Sequence, residues 1–353
     1  MNAEQPGFVA KRWGVELQEC EKVSGGFSGA RVWKVQCREG LQYAIRLTDC
    51  TEVTEIDRRN ELCEWMAAAF AGGLTCVPAP LKPIAGGLIG ACGSFQCRGY
   101  LLQDAAGLWQ MEPWMPGESL RGSPTATQLS EALGVLSRIH LSGRVLAVSS
   151  SSPVSLRVHV AASPGINRRL KIVLELLSGF LDRLQAMAIA DSDRRFGRAA
   201  KRACDVLRSC LQRLHAMLVA ESDVSVPLQP LLRDIWRPHV LYSGDRVTGV
   251  IDWNAAATDH VSMDATRLLR SWYRTDHECL RLAYHQFCDD RRMTHHERSL
   301  LRAFDAANVL LSPVTWMRRR YTGVLAGSVD ESVCSRFEEL VTTAESFFAS
   351  RSF

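Results

Sequence analysis

The segment from Leu231 to Trp253 constrains this chain more than any other. It reads Leu-Leu-Arg-Asp-Ile-Trp-Arg-Pro-His-Val-Leu-Tyr-Ser-Gly-Asp-Arg-Val-Thr-Gly-Val-Ile-Asp-Trp. Val240-Leu-Tyr and Val247-Thr-Gly-Val-Ile are β-forming runs, and Ser243-Gly-Asp-Arg246 between them is a turn, so the two fold back as a hairpin. Pairing Tyr242 with Val247 sets His239 beside Val250 or so, close to Asp252 at the end of the second strand. Asp234, on irregular chain closed by Pro238, falls on the same side of the hairpin. Three acid–base or ligand groups thus converge from local geometry alone.

The rest of the chain divides around this hairpin. At 353 residues it exceeds what one compact core usually serves, so two lobes are expected. The N-terminal part alternates strands and turns. Val32-Trp-Lys-Val-Gln and Gln42-Tyr-Ala-Ile-Arg-Leu flank a turn at Arg38-Glu-Gly40, and an amphipathic helix follows from Thr54 to Gly72-Gly73. Strand-like pieces run on to Met111. Pro113 and Pro116-Gly117 mark a hinge, which sets an N-terminal lobe at 1–110, a hinge at 111–117 and a helical C-terminal lobe at 118–353. In that lobe, leucines at helical spacing predict a buried helix over 126–140, and a helical insertion spans about 166–219.

Composition narrows the function classes. Of 42 basic residues only six are lysine, and the net charge of +4 lacks the basic footprint of a nucleic-acid binder. No apolar run approaches the roughly 18 residues of a membrane span. The start, Met1-Asn-Ala-Glu-Gln-Pro, lacks the layout of a secretory signal, so a cytoplasmic protein is expected. The 12 cysteines are scattered without zinc-knuckle spacing and read as reduced thiols, most of them in the core.

The hairpin and its flanks resemble the catalytic and metal loops of the aminoglycoside phosphotransferase family, small-molecule relatives of protein kinases. In the family pattern H-G-D-x-x-x-x-N, then a hairpin, then I-D-W, Leu232-Arg233-Asp234 stands where H-G-D would be and His239 where N would be, and Ile251-Asp252-Trp253 matches without change. Upstream, Ser24-Gly-Gly-Phe-Ser-Gly-Ala30 is similar to its glycine loop and Tyr43-Ala-Ile-Arg46 to its cation-bearing strand. Met111-Glu-Pro-Trp-Met-Pro-Gly117 is similar to its hinge and Leu136-Ser-Arg-Ile-His140 to its L-a-x-L-H helix. Asp264-Ala-Thr-Arg267 follows in the right order.

The resemblance implies an α+β, bilobal protein-kinase-like fold, with a small antiparallel-sheet N-lobe and a larger, mainly helical C-lobe. It also implies an ATP-dependent phosphotransferase acting on a small hydroxylated molecule with Mg²⁺, or Mn²⁺. In that frame Asp234 is the catalytic base with Arg233 beside it, in a catalytic loop at 231–239. Asp252 is the metal ligand, in a metal loop at 251–253. Gly25, Gly26, Ser28 and Gly29 would cradle phosphate, and Arg46 would reach the α- and β-phosphates, held by Glu61 or Glu64. Glu112 and Trp114 would line the hinge side of the nucleotide, and Trp253 reads as core.

Two departures matter. His239 stands where the family has an oxygen ligand, and imidazole suits Mg²⁺ poorly, so His239 is either a ligand for a softer ion or a hydrogen-bond donor to phosphate or Asp234. Leu232 replaces a polar brace. The alternative reading is therefore a nucleotide-binding pseudokinase. The substrate expectation follows from charge: acids and arginines balance at 13 each from Asn254 to the end, and 167–215 carries 11 basic against five acidic residues. A neutral or anionic hydroxyl compound suits that balance better than a polycation.

Overall fold

A computed structural model of the chain describes residues 6–23, 30–50, 52–84, 95–149, 156–323 and 331–350. They form two compact units, Met1–Arg157 with Pro230–Thr258, and Val158–Gln229 with Asp259–Phe353.

The first unit opens with α1 (Pro6–Ala10) and the strands β1 (Leu17–Val23), β2 (Arg31–Cys37) and β3 (Gln42–Thr48). The expected turn at Arg38-Glu-Gly40 joins β2 to β3, with Gly40 at φ 82°. Of the apolar residues whose helical spacing predicts it, helix α2 (Val53–Ala71) buries Ile56, Leu62, Trp65 and Met66, while Phe70 in its last turn is exposed. Strands β4 (Gln96–Arg98), β5 (Leu101–Asp104) and β6 (Gly107–Pro113) complete an antiparallel sheet in the order β1-β2-β3-β6-β5-β4. Trp13, Val35, Ile45, Trp109 and Met111 fill its core. After β7 (Glu118–Ser119) comes α3 (Ala126–Ser149), longer than the leucine pattern alone marks out.

The chain then enters the second unit through β8 (His159–Ala162), α4 (Pro164–Glu175), α5 (Leu181–Ala190), α6 (Arg194–Ser222) and β9 (Ser225–Leu231). It returns for the hairpin β10 (Val240–Ser243) and β11 (Arg246–Val250). Past β12 (Ala257–Asp259) the helices α7 (Ser262–Tyr273), α8 (His277–Asp290), α9 (His295–Thr322) and α10 (Glu331–Ala349) complete the second unit. Its core forms on the apolar face of α6, where Phe196 stacks on Phe337 at 4.1 Å between ring centres.

The units do not divide at the hinge. Strand β7 pairs with β10, and the Thr248 hydroxyl donates to the Pro116 carbonyl at 2.7 Å, so the hinge is tied to the hairpin. Gly117 lies at φ 98°, and a Cβ there would stand 2.6 Å from the Tyr242 carbonyl oxygen, which only glycine avoids. Among the described residues the cysteines are free thiols, seven of them buried, and no helix is long and apolar enough to cross a membrane.

Candidate active site

The hairpin register bears out the local geometry. Tyr242 faces Val247 and Val240 faces Val250, with one irregularity between Leu241 and Tyr242. The Ile251 amide donates to the His239 carbonyl at 2.9 Å, which carries the pairing one step past the strands and brings His239 to Asp252. The His239 Nε2 lies 3.7 Å from the Asp252 Oδ2.

Both nitrogens of His239 are engaged. The Trp236 indole N–H donates to Nε2 at 2.9 Å, and Nδ1 lies 2.8 Å from the Asp234 carbonyl oxygen. An indole nitrogen can only donate, so Nε2 accepts and the proton sits on Nδ1. The imidazole is thereby a cross-link that fixes the backbone of Asp234 and stands beside the Asp252 carboxylate. Leu232 is buried at 2% exposure, so apolar packing replaces the polar brace.

Four described residues other than glycine take a left-handed backbone, and two of them are here: Arg233 at φ 63° and Asp252 at φ 61°. Aspartate tolerates that region; an arginine there is strained by about 1 kcal/mol or more. The strain is thus held at Arg233, next to Asp234, where the surrounding fold over-determines the backbone.

The sheet supplies the cation. In the pairing of β3 with β6, Arg46 faces Gln110 and Ala44 faces Glu112, so Arg46, Gln110 and Glu112 share one face. Arg46 lies 3.5 Å from Asp252 and 3.8 Å from Glu112. It makes no hydrogen bond among the described residues. Glu112 accepts from the Gln110 amide at 2.8 Å, and burial pushes its carboxyl above the usual range, with Arg46 opposing and Asp252 adding to the shift. The helix acid expected against Arg46 has other partners: Glu61 accepts from the Leu156 amide at 3.3 Å and Glu64 from Asn60 at 2.9 Å. Trp114, the other hinge residue, takes Lys34 over its ring at 5.0 Å.

A second cluster, unforeseen from sequence, secures the metal loop. The Asn254 amide donates to Asp252 Oδ1 at 2.9 Å. From α2, Arg58 donates to the carbonyls of Asn254 and Ala256, and Arg59 to the Asn254 side-chain oxygen. Glu55 accepts from both arginines, and the Arg58 hydrogen bonds hold its carboxyl below the usual range. Trp253 is core as expected, edge-on to Trp65 at 4.9 Å. Gly25, Gly26, Ser28 and Gly29 lie outside the described residues.

A hard cation fits Asp252. Its side chain is about a third exposed, and Oδ2 accepts no hydrogen bond among the described residues. No group of three or more His, Cys, Asp or Glu forms a metal cage among those residues. His239, with both nitrogens taken, does not fit as a ligand.

Comparison with known proteins gives the family and the fold. The family model described as the phosphotransferase enzyme family matches residues 19–293. No curated protein sequence matches the chain significantly. Among solved structures it is similar to the aminoglycoside phosphotransferase from Alicyclobacillus acidocaldarius, at 13% identity over 99% of this chain and 96% of that one, with a TM-score of 0.57. It is similar to the macrolide 2'-phosphotransferase MphH from Brachybacterium faecium, at 14% identity over 95% and 96%, with a TM-score of 0.53. Spectinomycin phosphotransferase APH(9)-Ia in complex with ADP and spectinomycin gives 12% identity over 98% and 97%, with a TM-score of 0.59. The chain belongs to the phosphotransferase enzyme family and has the protein-kinase-like α+β fold of the aminoglycoside phosphotransferases.

Proposed function

We propose that the chain transfers the γ-phosphoryl group of ATP to a hydroxyl of a small molecule. The observation that carries this reading is the state of Arg46, a nearly buried guanidinium held by charge between Asp252 and Glu112 without a hydrogen bond among the described residues. Such a group has its five donors available for phosphate oxygens. Arg46 binds the α- and β-phosphates from the sheet, Gly25, Gly26, Ser28 and Gly29 are the residues assigned to phosphate binding by backbone amides, and Glu112 and Trp114 flank the base.

Asp234 orients the acceptor hydroxyl and takes its proton, with its backbone fixed by His239. Arg233, the preceding residue, adds a cation to the same loop. Asp252 holds Mg²⁺, with Asn254 setting the carboxylate's orientation; Mn²⁺ is accepted in its place. The ion, when bound, neutralises charge on the β- and γ-phosphate oxygens. The acceptor is a neutral or anionic hydroxyl compound, in keeping with the balanced charge of the C-terminal part.

The test is ATP turnover on a panel of hydroxyl compounds together with thermal shifts in nucleotide and Mg²⁺ or Mn²⁺. We expect wild type to be stabilised by ATP with metal. Asp234→Ala should keep that shift while losing turnover by 10²-fold or more, and Asp252→Ala should lose both. A wild type that no nucleotide stabilises with either metal sinks the proposal. Binding without turnover on any acceptor favours the pseudokinase.

A further inference from the structure

The helical unit contains a cavity of about 650 Å³, within the size range of sites that take small organic ligands. Its two walls are single helix faces. Helix α8 turns Leu280, Arg281, Tyr284 and Cys288 toward it, and α9 turns Arg298, Leu301, Arg302 and Asp305, all at three- and four-residue spacing. Met217, Ala306 and Phe347 add apolar surface. Helix α7 packs on both α8 and α9 and supplies Arg270 to the lining.

The charges of this cavity are mostly settled within the protein. Arg270 grips both oxygens of Asp305, and the Tyr284 hydroxyl donates to the same carboxylate at 2.8 Å, so that buried group is neutralised and saturated. Arg281 pairs with Glu278, and Arg298 with Asp289, each at 2.7 Å. Arg302 differs. It makes neither an ion pair nor a hydrogen bond among the described residues. Four arginines and two carboxylates line the cavity, and the unmatched cation is the exposed Arg302 on its α9 wall.

We propose that this cavity binds an amphipathic carboxylate, a molecule with a hydrocarbon body and one carboxyl group. Met217, His277 and Tyr284, half-buried over the packed Leu280, Leu301, Ala306 and Phe347, receive the body by the ordinary burial of apolar surface. The planar guanidinium of Arg302 takes the carboxylate through two parallel N–H bonds. A single unpaired cation balances a single charge, which selects a carboxylate over a phosphate dianion. The site is built from residues of the helical unit alone and does not depend on the phosphotransfer reading.

Calorimetric titration of the full chain with octanoate, 1-octanol and octylamine tests this. Octanoate should bind one to one, 1-octanol more weakly and octylamine not measurably. Arg302→Gln, at an exposed position that leaves the fold intact, should weaken octanoate about tenfold and leave 1-octanol unchanged. Met217→Ala, which removes half-buried apolar wall, should weaken both, with melting curves confirming that it folds. Equal binding of octanoate and octylamine, or unchanged octanoate affinity in Arg302→Gln, overturns the proposal.

Discussion

Arg46 in the sheet unit and Arg270 in the helical unit are two arginines of similar burial, with side chains 13% and 9% exposed, and they are held in opposite ways. Arg270 forms a fork on Asp305, a further bond to the Arg274 carbonyl at 2.9 Å, and shares its acid with Tyr284. Arg46 has two acids within 4 Å and bonds to neither. A buried ion pair whose donors are all used is a structural joint. One whose donors are unused, beside two carboxylates and a strained loop, is a place where a ligand completes the coordination.

The largest expected effect separates these two arginines. Arg270→Met leaves Asp305 buried without its counter-charge and should cost about 3–5 kcal/mol of stability. Arg46→Met should cost under about 1 kcal/mol, because Glu112, whose carboxyl burial already raises, can take up a proton. Its loss should appear instead in ATP affinity, by tenfold or more. Melting curves and nucleotide titrations on both variants decide it. Equal destabilisation would make Arg46 a structural joint as well and erase the contrast.

A smaller effect uses pH. Glu297, the acid of the capping box that opens α9, hydrogen-bonds His260, and chiefly for that reason its carboxyl is pulled down to about 2. A depressed folded value contributes stability that is fully present above the unfolded value of 4.5 and is lost as pH falls toward 2. Glu297→Gln should therefore lower stability at pH 7 by about 1–2 kcal/mol, after allowance for solvent screening, with the gap closing in acid. Glu112 has the opposite sign. Its raised folded value means that the folded state holds a proton which the unfolded state has released, so stability falls as pH rises from 4.5 through that raised value. Glu112→Gln should raise the melting temperature at neutral pH and lose that advantage at about pH 4. Parallel pH profiles for the two variants would contradict the distinction between a joint and a site.

What could be read in the sequence follows the range of the interactions. The hairpin register, the convergence of His239 with Asp252 and the ends of α2 all come from neighbours in the chain, and they appear where local spacing sets them. The partner of Arg46 was not legible. Glu112 reaches it through the pairing of β3 with β6, strands separated by α2 and two others, whereas an acid on the next helix is the nearer guess in sequence. Arg58 and Arg59 were missed for the same reason. Glu55-x-x-Arg-Arg reads as an ordinary helix-surface salt bridge, and nothing near it announces a carbonyl 196 residues away. The pairing of β7 with β10 likewise moves the unit boundary off the hinge, which proline and glycine alone had marked.

The smallest expected effect on stability concerns Arg233, and it tests whether strain at the site has a use. Its φ of 63° suits glycine, the residue that the family pattern carries at this point. Replacing it removes about 1–2 kcal/mol of backbone strain but gives the unfolded chain the extra freedom of glycine, which offsets roughly 0.5–1 kcal/mol. Arg233→Gly should therefore leave the fold unchanged or more stable by up to about 1.5 kcal/mol. If the guanidinium serves only as a tolerated substitute, turnover stays as it was. If its positive charge serves phosphotransfer, turnover falls in Arg233→Gly and is recovered in Arg233→Lys. A glycine variant that gains stability and loses turnover would show strain retained at the site for its chemistry, which the joint at Arg270 has no need to hold.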